Sequence, residues 1–326
     1  MNVGLIGCGA MGWKRAHALA GNEISFCFDP NRESALRVAN AFDCCATISA
    51  RDVLTSSAVD IVIVSTPTEF LSEIVIEALQ AGKHVLVEKP AANSVAEIDA
   101  MIEAEENSLS LVRVGFNLRS HRAVRFADDM TDRIGETLFV RAHYGHGGRE
   151  NYGDDWRMKD PRGETLDQGI HLIDLASFFL GGEFVSVSAE SRSGYWSQAD
   201  DNCFLTLRTD EGKIASLHAS CTEWRNQFFF EIVGTRGKME ISGLGGSYGT
   251  EKLTLYEKGP DEGKPPMIRS WEWPTEDDSL EYEMREFTKD IRRGYIYGGI
   301  YGGGLLEAKK ALKVIEKVYS QKGEGR

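Results

Sequence analysis

Residues 1–21 read MNVGLIGCGAMGWKRAHALAG, and the six residues Gly7-Cys8-Gly9-Ala10-Met11-Gly12 decide the fold of the first part of the chain. They stand directly between a short apolar run and a helical pattern. Glycines in such a turn permit the sharp reversal, let the backbone approach a pyrophosphate, and bring the helix close to the strand, with the phosphates at the helix N-terminus. A lone G-x-G-x-x-G is a weak signal; the strand-turn-helix setting gives it weight. Asp29 closes the next apolar run, FCFD, about 20 residues on, where a carboxylate can hold both adenosine ribose hydroxyls. Gly7, Gly9, Ala10, Met11, Gly12 and Asp29 are therefore candidate cofactor contacts. Asp29 repels a 2′-phosphate and favours NAD over NADP, whereas Arg32 is the residue to pair with that phosphate if the preference runs the other way.

Outward from this turn, MNVGLIG, EISFCF, DIVIVST, HVLVE and LVRVGF read as strands buried on both faces, with the helical patterns FLSEIVIEALQAG and VAEIDAMIEAEENS between them. Alternation of strand and helix predicts a doubly wound parallel sheet, an α/β Rossmann domain over 1–118. After about residue 118 the texture changes. ETLFVRAHYG, FVSVSAES, CFLTLRT, KIASLHASCT, QFFFEIVG, KMEISG and KLTLYEK are strands close together in sequence, many joined by short turns such as TDEGK and GTRGK. Short connections imply antiparallel pairing. A helical pattern at QGIHLIDLASFFLG lies among them, and two more follow at LEYEMREFTKDIRR and LLEAKKALKVIEKVYS. The second domain, 119–326, is thus expected to be α+β, a large open, mostly antiparallel sheet flanked by helices.

Composition bounds the function. The 326 residues are 42% hydrophobic and 27% charged, enough for two cores, and the net charge of −13 argues against a nucleic-acid or anionic-membrane partner. A small-molecule ligand is the expectation. The six cysteines, Cys8, Cys27, Cys44, Cys45, Cys203 and Cys221, form no C-x-x-C pair and show no Cys/His ligand spacing, so neither a disulfide framework nor a zinc site is indicated. No signal-peptide pattern and no apolar run of ~18 residues is present, which points to the cytoplasm.

Two further constellations carry chemistry. Ligands of an open α/β sheet bind at the carboxyl ends of its strands, so Glu88 and Lys89, at the end of HVLVEKP, and Thr66 and Pro67, at the end of the neighbouring run, emerge where a nicotinamide would lie. The plainer reading of Lys89 is a solvated cation paired with Glu88. In DQGIHLID, Asp167, His171 and Asp174 fall on one helical face at i, i+4 and i+7, so that a carboxylate can fix the imidazole tautomer and raise its basicity, as a general base requires. Leu172, Leu175, Ala176 and Phe179 supply the apolar stripe of that helix. The plainer reading is a capping Asp167 and a core His171. No third ligand in the sequence suggests a metal here.

Taken together, GCGAMG, the Asp29 strand end, STP, AGKHVLVEKP, GFNLR and DQGIHLID resemble the Gfo/Idh/MocA oxidoreductases over nearly the whole chain. The resemblance implies a Rossmann domain, a sheet domain that often self-associates through its face as a homo-oligomer (dimer or tetramer), and oxidation or reduction of a sugar or polyol carbon with a nicotinamide cofactor. By that similarity Lys89 corresponds to the catalytic-site lysine, and Asp167 and His171 to the partnered carboxylate and histidine. Lys89 would then stabilise developing alkoxide while His171 carries the proton. Leu71 stands where many members carry a histidine, and Arg122 where a proline is common.

The substrate is less constrained. Arg119, His121 and Arg122, with His143, His146, Arg149 and Arg157 of HYGHGGRENYGDDWR, form a local excess of cation in an acidic chain, and Trp156 or Trp224 offers a stacking surface. Arg119, His121, Arg149, Trp156 and Arg157 are accordingly candidate substrate contacts for an anionic sugar, phosphorylated or nucleotide-linked. The alternative is that the arginines pair with Glu150, Asp154, Asp155 and Asp160. Two other functions fit the same fold: an NAD-dependent glycoside-cleaving enzyme that oxidises transiently, and a non-catalytic NAD-binding regulator.

Overall fold

A computed structural model of the chain describes residues 1–148, 151–259, 265–294 and 302–324. It divides into one unit of Met1–Ser120 with Asp278–Lys309 and another of His121–Asp277 with Lys310–Arg326.

The first unit is built on strands β1 (Asn2–Ile6), β2 (Glu23–Phe28), β3 (Cys45–Ala46), β4 (Ile61–Val64), β5 (His84–Val87) and β6 (Val112–Val114), in the order β3-β2-β1-β4-β5-β6. Every neighbouring pair is parallel. The strands can afford continuous apolar runs because helices cover both faces; all four residues of β4 are buried. Helices Arg32–Phe42, Ala50–Thr55 and Val95–Glu106 start where they do because Asn31, Ser49 and Ser94 accept from their first-turn N–H groups. Strand order reverses between β1 and β4, so the crevice at their carboxyl ends is the topological switch point, and Gly7 and Ser65 open onto it.

Asp278–Lys309 belongs to this first unit, whereas a single cut after residue 118 assigns it to the second. The cause is the buried face of helix Ser279–Arg293, which sends Met284 and Phe287 into the core with Leu5, Ile24 and Val38. The same face carries Glu283 to the buried Arg15, whose Nε also donates to Glu88 Oε1 at 2.6 Å. Arg113 pairs with Asp290, about two turns further along the same helix, at 2.5 Å.

The second unit holds strands β7 (Thr137–Gly145), β8 (Phe184–Ser193), β9 (Asp200–Thr209), β10 (Ile214–Ser220), β11 (Gln227–Gly234), β12 (Gly237–Ser242), β13 (Glu251–Glu257) and β14 (Met267–Trp273), in the order β14-β13-β12-β11-β7-β10-β9-β8. All pairs are antiparallel except β7 and β10, because β7 inserts between strands that follow it in sequence. Alternation gives the sheet a core face, with Val140, Leu205, Leu217, Phe230 and Ile241 buried, and an open face carrying Arg141, Thr206, Ser216, Lys238 and Glu240. Helix Ile170–Leu180 packs on the core face, its Phe179 ring 5.7 Å from that of Phe230.

Arg15 is only 2% exposed, so removing one carboxylate leaves an under-compensated buried charge. Glu283→Ala is expected to lower the unfolding free energy by about 3–5 kcal/mol in urea titration of the full chain. A loss below about 1 kcal/mol would show the ion triad to be dispensable.

Candidate active site

In the first unit the glycine turn is held from three sides. Gly7 sits at φ +95°, and a Cβ there would lie 2.6 Å from the Ser65 carbonyl; a Cβ at Gly12 would lie 1.9 Å from Gly7 O. Ser65 Oγ donates to Gly7 O at 2.7 Å, and the Gly7 N–H to Phe28 O at 2.9 Å. Gly7 and Gly12 are thus required by packing of the protein against itself. Gly9 is different. A Cβ there would meet nothing within 4 Å, and Gly9 caps helix Ala10–His17 with no side-chain acceptor for its first-turn N–H groups, which belong to Ala10, Met11 and Gly12. An open glycine over an uncapped helix N-terminus is the shape a pyrophosphate fills. Thr66 Oγ1, at the end of β4, is buried without a hydrogen-bond partner, which a bound ligand supplies. Pro67 follows it as the lead-in to the turn Thr68–Phe70. The residues present fit a dinucleotide.

Asp29 accepts the Cys8 N–H on Oδ2 and the Asn31 N–H on Oδ1, both at 2.7 Å, tying the glycine turn to the end of β2. Each oxygen keeps a further acceptor direction for a ribose hydroxyl. Arg32 is committed elsewhere, donating from Nη1 to the carbonyls of Ala46 and Thr47 at 3.1 and 3.0 Å. Arg37, which no sequence signal singled out, donates to Cys8 O at 3.0 Å and lies 4.7 Å from the Trp13 ring centroid. Glu88 departs from its expected place in the cofactor wall: its carboxylate turns inward to Arg15. Lys89, next in the chain, is half-buried, and Ala91 beyond it takes the left-handed φ of +74°. For a non-glycine residue such a conformation costs on the order of 1–3 kcal/mol and clusters at functional sites.

In the second unit, Asp167 lies in a π turn, Thr165–Gly169, and His171 is the second residue of the α-helix that follows. The expected single helix through DQGIHLID is thus wound differently at its start, a distortion frequent at functional sites. Leu172, Leu175, Ala176 and Phe179 are buried as the apolar stripe required, and so are His171 and Asp174. The Tyr144 ring stands edge-on to His171 at 6.2 Å.

Asp167 Oδ2 is 3.4 Å from Arg157 Nε, and Arg157 Nη1 donates to Asp155 Oδ1 at 3.0 Å. The ion-pair alternative therefore holds for Arg157. Beside them, His146 Nε2 lies 3.6 Å from Glu164 Oε2 and 3.4 Å from Tyr152 OH. Burial works against charge on His146, but the fully buried Glu164 carboxylate outweighs it and raises the pKa. His146, Glu164 and Asp167 bring their donor atoms within 4.8 Å of one another, a grouping hidden in sequence because Glu164 and His146 flank no common motif.

The other substrate candidates scatter. Arg119 is buried in the turn Asn117–Ser120 of the first unit. His121 is buried in the second, 3.4 Å from Glu251 Oε2 and 3.8 Å from Asp277 Oδ1. Arg149 lies outside the described residues, as does the side chain of Trp156, whose backbone opens the turn Trp156–Lys159. Trp224 is almost wholly exposed. Leu71 is buried at the start of helix Leu71–Gln80, and Arg122 opens helix Arg122–Asp128.

Residues 1–116 match the oxidoreductase family with the NAD-binding Rossmann fold, and residues 130–240 match the GFO/IDH/MocA C-terminal domain. Inositol 2-dehydrogenase 2 of Saccharopolyspora erythraea is 30% identical over 98% of this chain and 93% of its own. The chain belongs to the GFO/IDH/MocA oxidoreductases. A second relative, 2,7-anhydro-N-acetylneuraminate hydratase of Escherichia coli, is 30% identical over 74% of this chain and 67% of its own. The solved levoglucosan dehydrogenase in complex with NADH and levoglucosan shares the fold, with a TM-score of 0.86 at 24% identity, covering 100% of this chain and 98% of that one. Among the described residues no helix is long and apolar enough to cross a membrane.

Because a Cβ at position 9 has room in the protein alone, Gly9→Ala is expected to keep the melting temperature within a few degrees while weakening NAD at least ~10-fold in fluorescence titration. Unchanged NAD affinity in that variant would contradict a pyrophosphate at this turn.

Proposed function

We propose that this oxidoreductase oxidises a secondary hydroxyl of a neutral sugar or polyol, with Lys89 hydrogen-bonding the reacting oxygen and His171 taking its proton. The observation that carries the cofactor half of this reading is the open cradle at Gly9 together with the orphaned Thr66 Oγ1. Bound NAD supplies the hydride acceptor, so that the alcohol loses hydride from carbon and a proton from oxygen and leaves as the ketone. Lys89 steadies the oxygen as its negative charge develops, and His171 moves the proton. Asp167 acts with them as a carboxylate already balanced by Arg157.

NAD is the cofactor, and preference over NADP follows from Asp29 at the ribose end and from the engagement of Arg32 with two backbone carbonyls. A neutral substrate is favoured over a phosphorylated or nucleotide-linked one because Arg157 is already neutralised by Asp155 and Asp167, and His121 faces Glu251. Cytoplasmic residence agrees with six free thiols. Self-association as a homo-oligomer agrees with Phe204, Ile214 and Phe229 standing exposed on the open sheet face.

The test is a panel of polyols, sugars and sugar phosphates with NAD and NADP, read at the nicotinamide absorbance. Lys89→Ala and His171→Ala should each lower kcat by ~10²-fold or more with NAD affinity little changed. Near-normal turnover in both would remove the assigned roles, and substrate conversion without net NADH would point to transient oxidation, as in a glycoside-cleaving or hydratase reaction. Asp29→Ala should weaken NAD more than NADP. Adding a phosphate to a poor neutral substrate should give no gain in kcat/KM; a large gain abolished by Arg157→Ala would restore the anionic reading.

A further inference from the structure

The open face of the second unit's sheet carries a row of four rings. Register sets Phe204 opposite His218, His218 beside His143, and His143 opposite Phe229, so the row crosses β9, β10, β7 and β11. Phe204 and His218 stack at 3.9 Å and 11°, and the two imidazoles lie 4.6 Å apart. They line a hollow of about 330 Å³ with Ser188, Thr206 and Ser216.

The direction of each hydrogen bond can be followed from one end of this group. Asn202 Nδ2 donates to Thr222 Oγ1 at 2.8 Å, which leaves Asn202 Oδ1 to accept from His218 Nε2 at 3.1 Å. His218 therefore carries its proton on Nε2 and a lone pair on Nδ1. That lone pair lies 2.9 Å from His143 Nδ1, so His143 donates there and is left with a second lone pair on Nε2. His143 Nε2 is buried, has no hydrogen-bond partner, and faces Glu223 Oε1 at 3.4 Å. The other Glu223 oxygen accepts from Gln227 Nε2 at 3.0 Å, fixing the carboxylate.

Two electron-rich atoms thus face each other with no proton left in the chain to stand between them. Glycine makes the approach possible: a Cβ at Gly145 would lie 2.6 Å from Glu223 Cγ and 3.0 Å from His143 Nε2. A cation removes the conflict at both atoms.

We propose that His143, Glu223 and His218 form a site for a zinc-class divalent cation on the open face of the sheet. Zinc–nitrogen bonds of about 2.0–2.1 Å place neighbouring tetrahedral ligands about 3.3 Å apart. The His143–Glu223 separation is 3.4 Å, and the donor atoms of all three residues lie within 4.8 Å of one another, a span that side-chain rotation closes. His218 joins by giving up the hydrogen bond from His143 Nδ1–H: with its Nε2–H held by Asn202, its Nδ1 lone pair is the one that turns to the metal, and an outer acceptor on the other ring nitrogen is what orients a metal-bound histidine. His/His/carboxylate is a zinc donor set, with water completing the tetrahedron.

The test is titration of the chelator-stripped full chain with Zn²⁺ against a chromophoric chelator, with Co²⁺ as a spectroscopic probe of nitrogen ligation. One equivalent should bind per chain. Asn202→Ala should weaken it about 10- to 100-fold, and His218→Ala and Glu223→Gln should weaken it further, each measured on variants whose circular dichroism matches that of the unsubstituted chain. Binding of less than one equivalent, a Co²⁺ spectrum without nitrogen ligation, or Zn²⁺ binding that survives both His218→Ala and Glu223→Gln overturns the proposal.

Discussion

The absence of a Cβ at Gly12, 1.9 Å from where one would meet the Gly7 carbonyl, is the constraint on which the first unit turns. It lets the helix begin at once after β1, and the same carbonyl is gripped by Ser65 at the end of β4. One helical turn past Gly12, that placement delivers Arg15 to Glu88 and Glu283. Glu88 in turn fixes the end of β5, and Lys89 is the next residue. A ligand-free interior pairing thus sets where the candidate catalytic lysine leaves the sheet. An ion triad this buried is weak evidence for stability as such. Its geometric consequence is the more secure one, since a guanidinium fork accepts only a narrow range of carboxylate positions.

What was legible in the sequence is what local chemistry encodes. Glycine turn, strand end and apolar period each act within a few residues, so β1, β2, β4, β5 and β6 read directly. The Asp167–His171 motif was equally plain, although the π turn that shifts Asp167 was not. Glu88 looked like a partner for its neighbour Lys89 because sequence shows adjacency, while its actual partner stands 73 positions away. Strand β14 is obscured because its residues are exposed or half-buried and its apolar alternation, Trp271-Glu272-Trp273, spans only three residues. The return of helix Ser279–Arg293 to the first unit was hidden for a related reason: amphipathicity says which face is buried, never against what.

Charge around the candidate base follows the same logic of distant partners. Counted along the chain, the cations between Arg119 and Arg157 suggested an anion receptor. In three dimensions Arg157 lies between Asp155 and Asp167, and His121 lies against Glu251. The carboxylate that remains most deeply placed is Glu164, which raises the pKa of His146 and reinforces that of Tyr152 after burial has already lifted it. The surroundings of Asp167 are therefore rich in negative charge. A field of that sign stabilises an imidazolium and opposes the approach of a phosphate.

The sheet of the second unit shows why one register serves two purposes. Along β7, Val140, Ala142 and Tyr144 face the packed side, and Arg141 and His143 face the open one. Side chains repeat every two residues, so a slip of one position would bury His143 and expose the core. The packing of Phe230, Ile232 and Ile241 forbids that slip at a cost far larger than any contact on the open face can contribute. Alignment of His143 with His218 and of His218 with Phe204 is consequently imposed by the core, and the open-face residues need only be chemically complementary once they are there. Three donor atoms on three different segments, β7, β10 and the residues after β10, are brought together by a register that hydrophobic burial has already fixed.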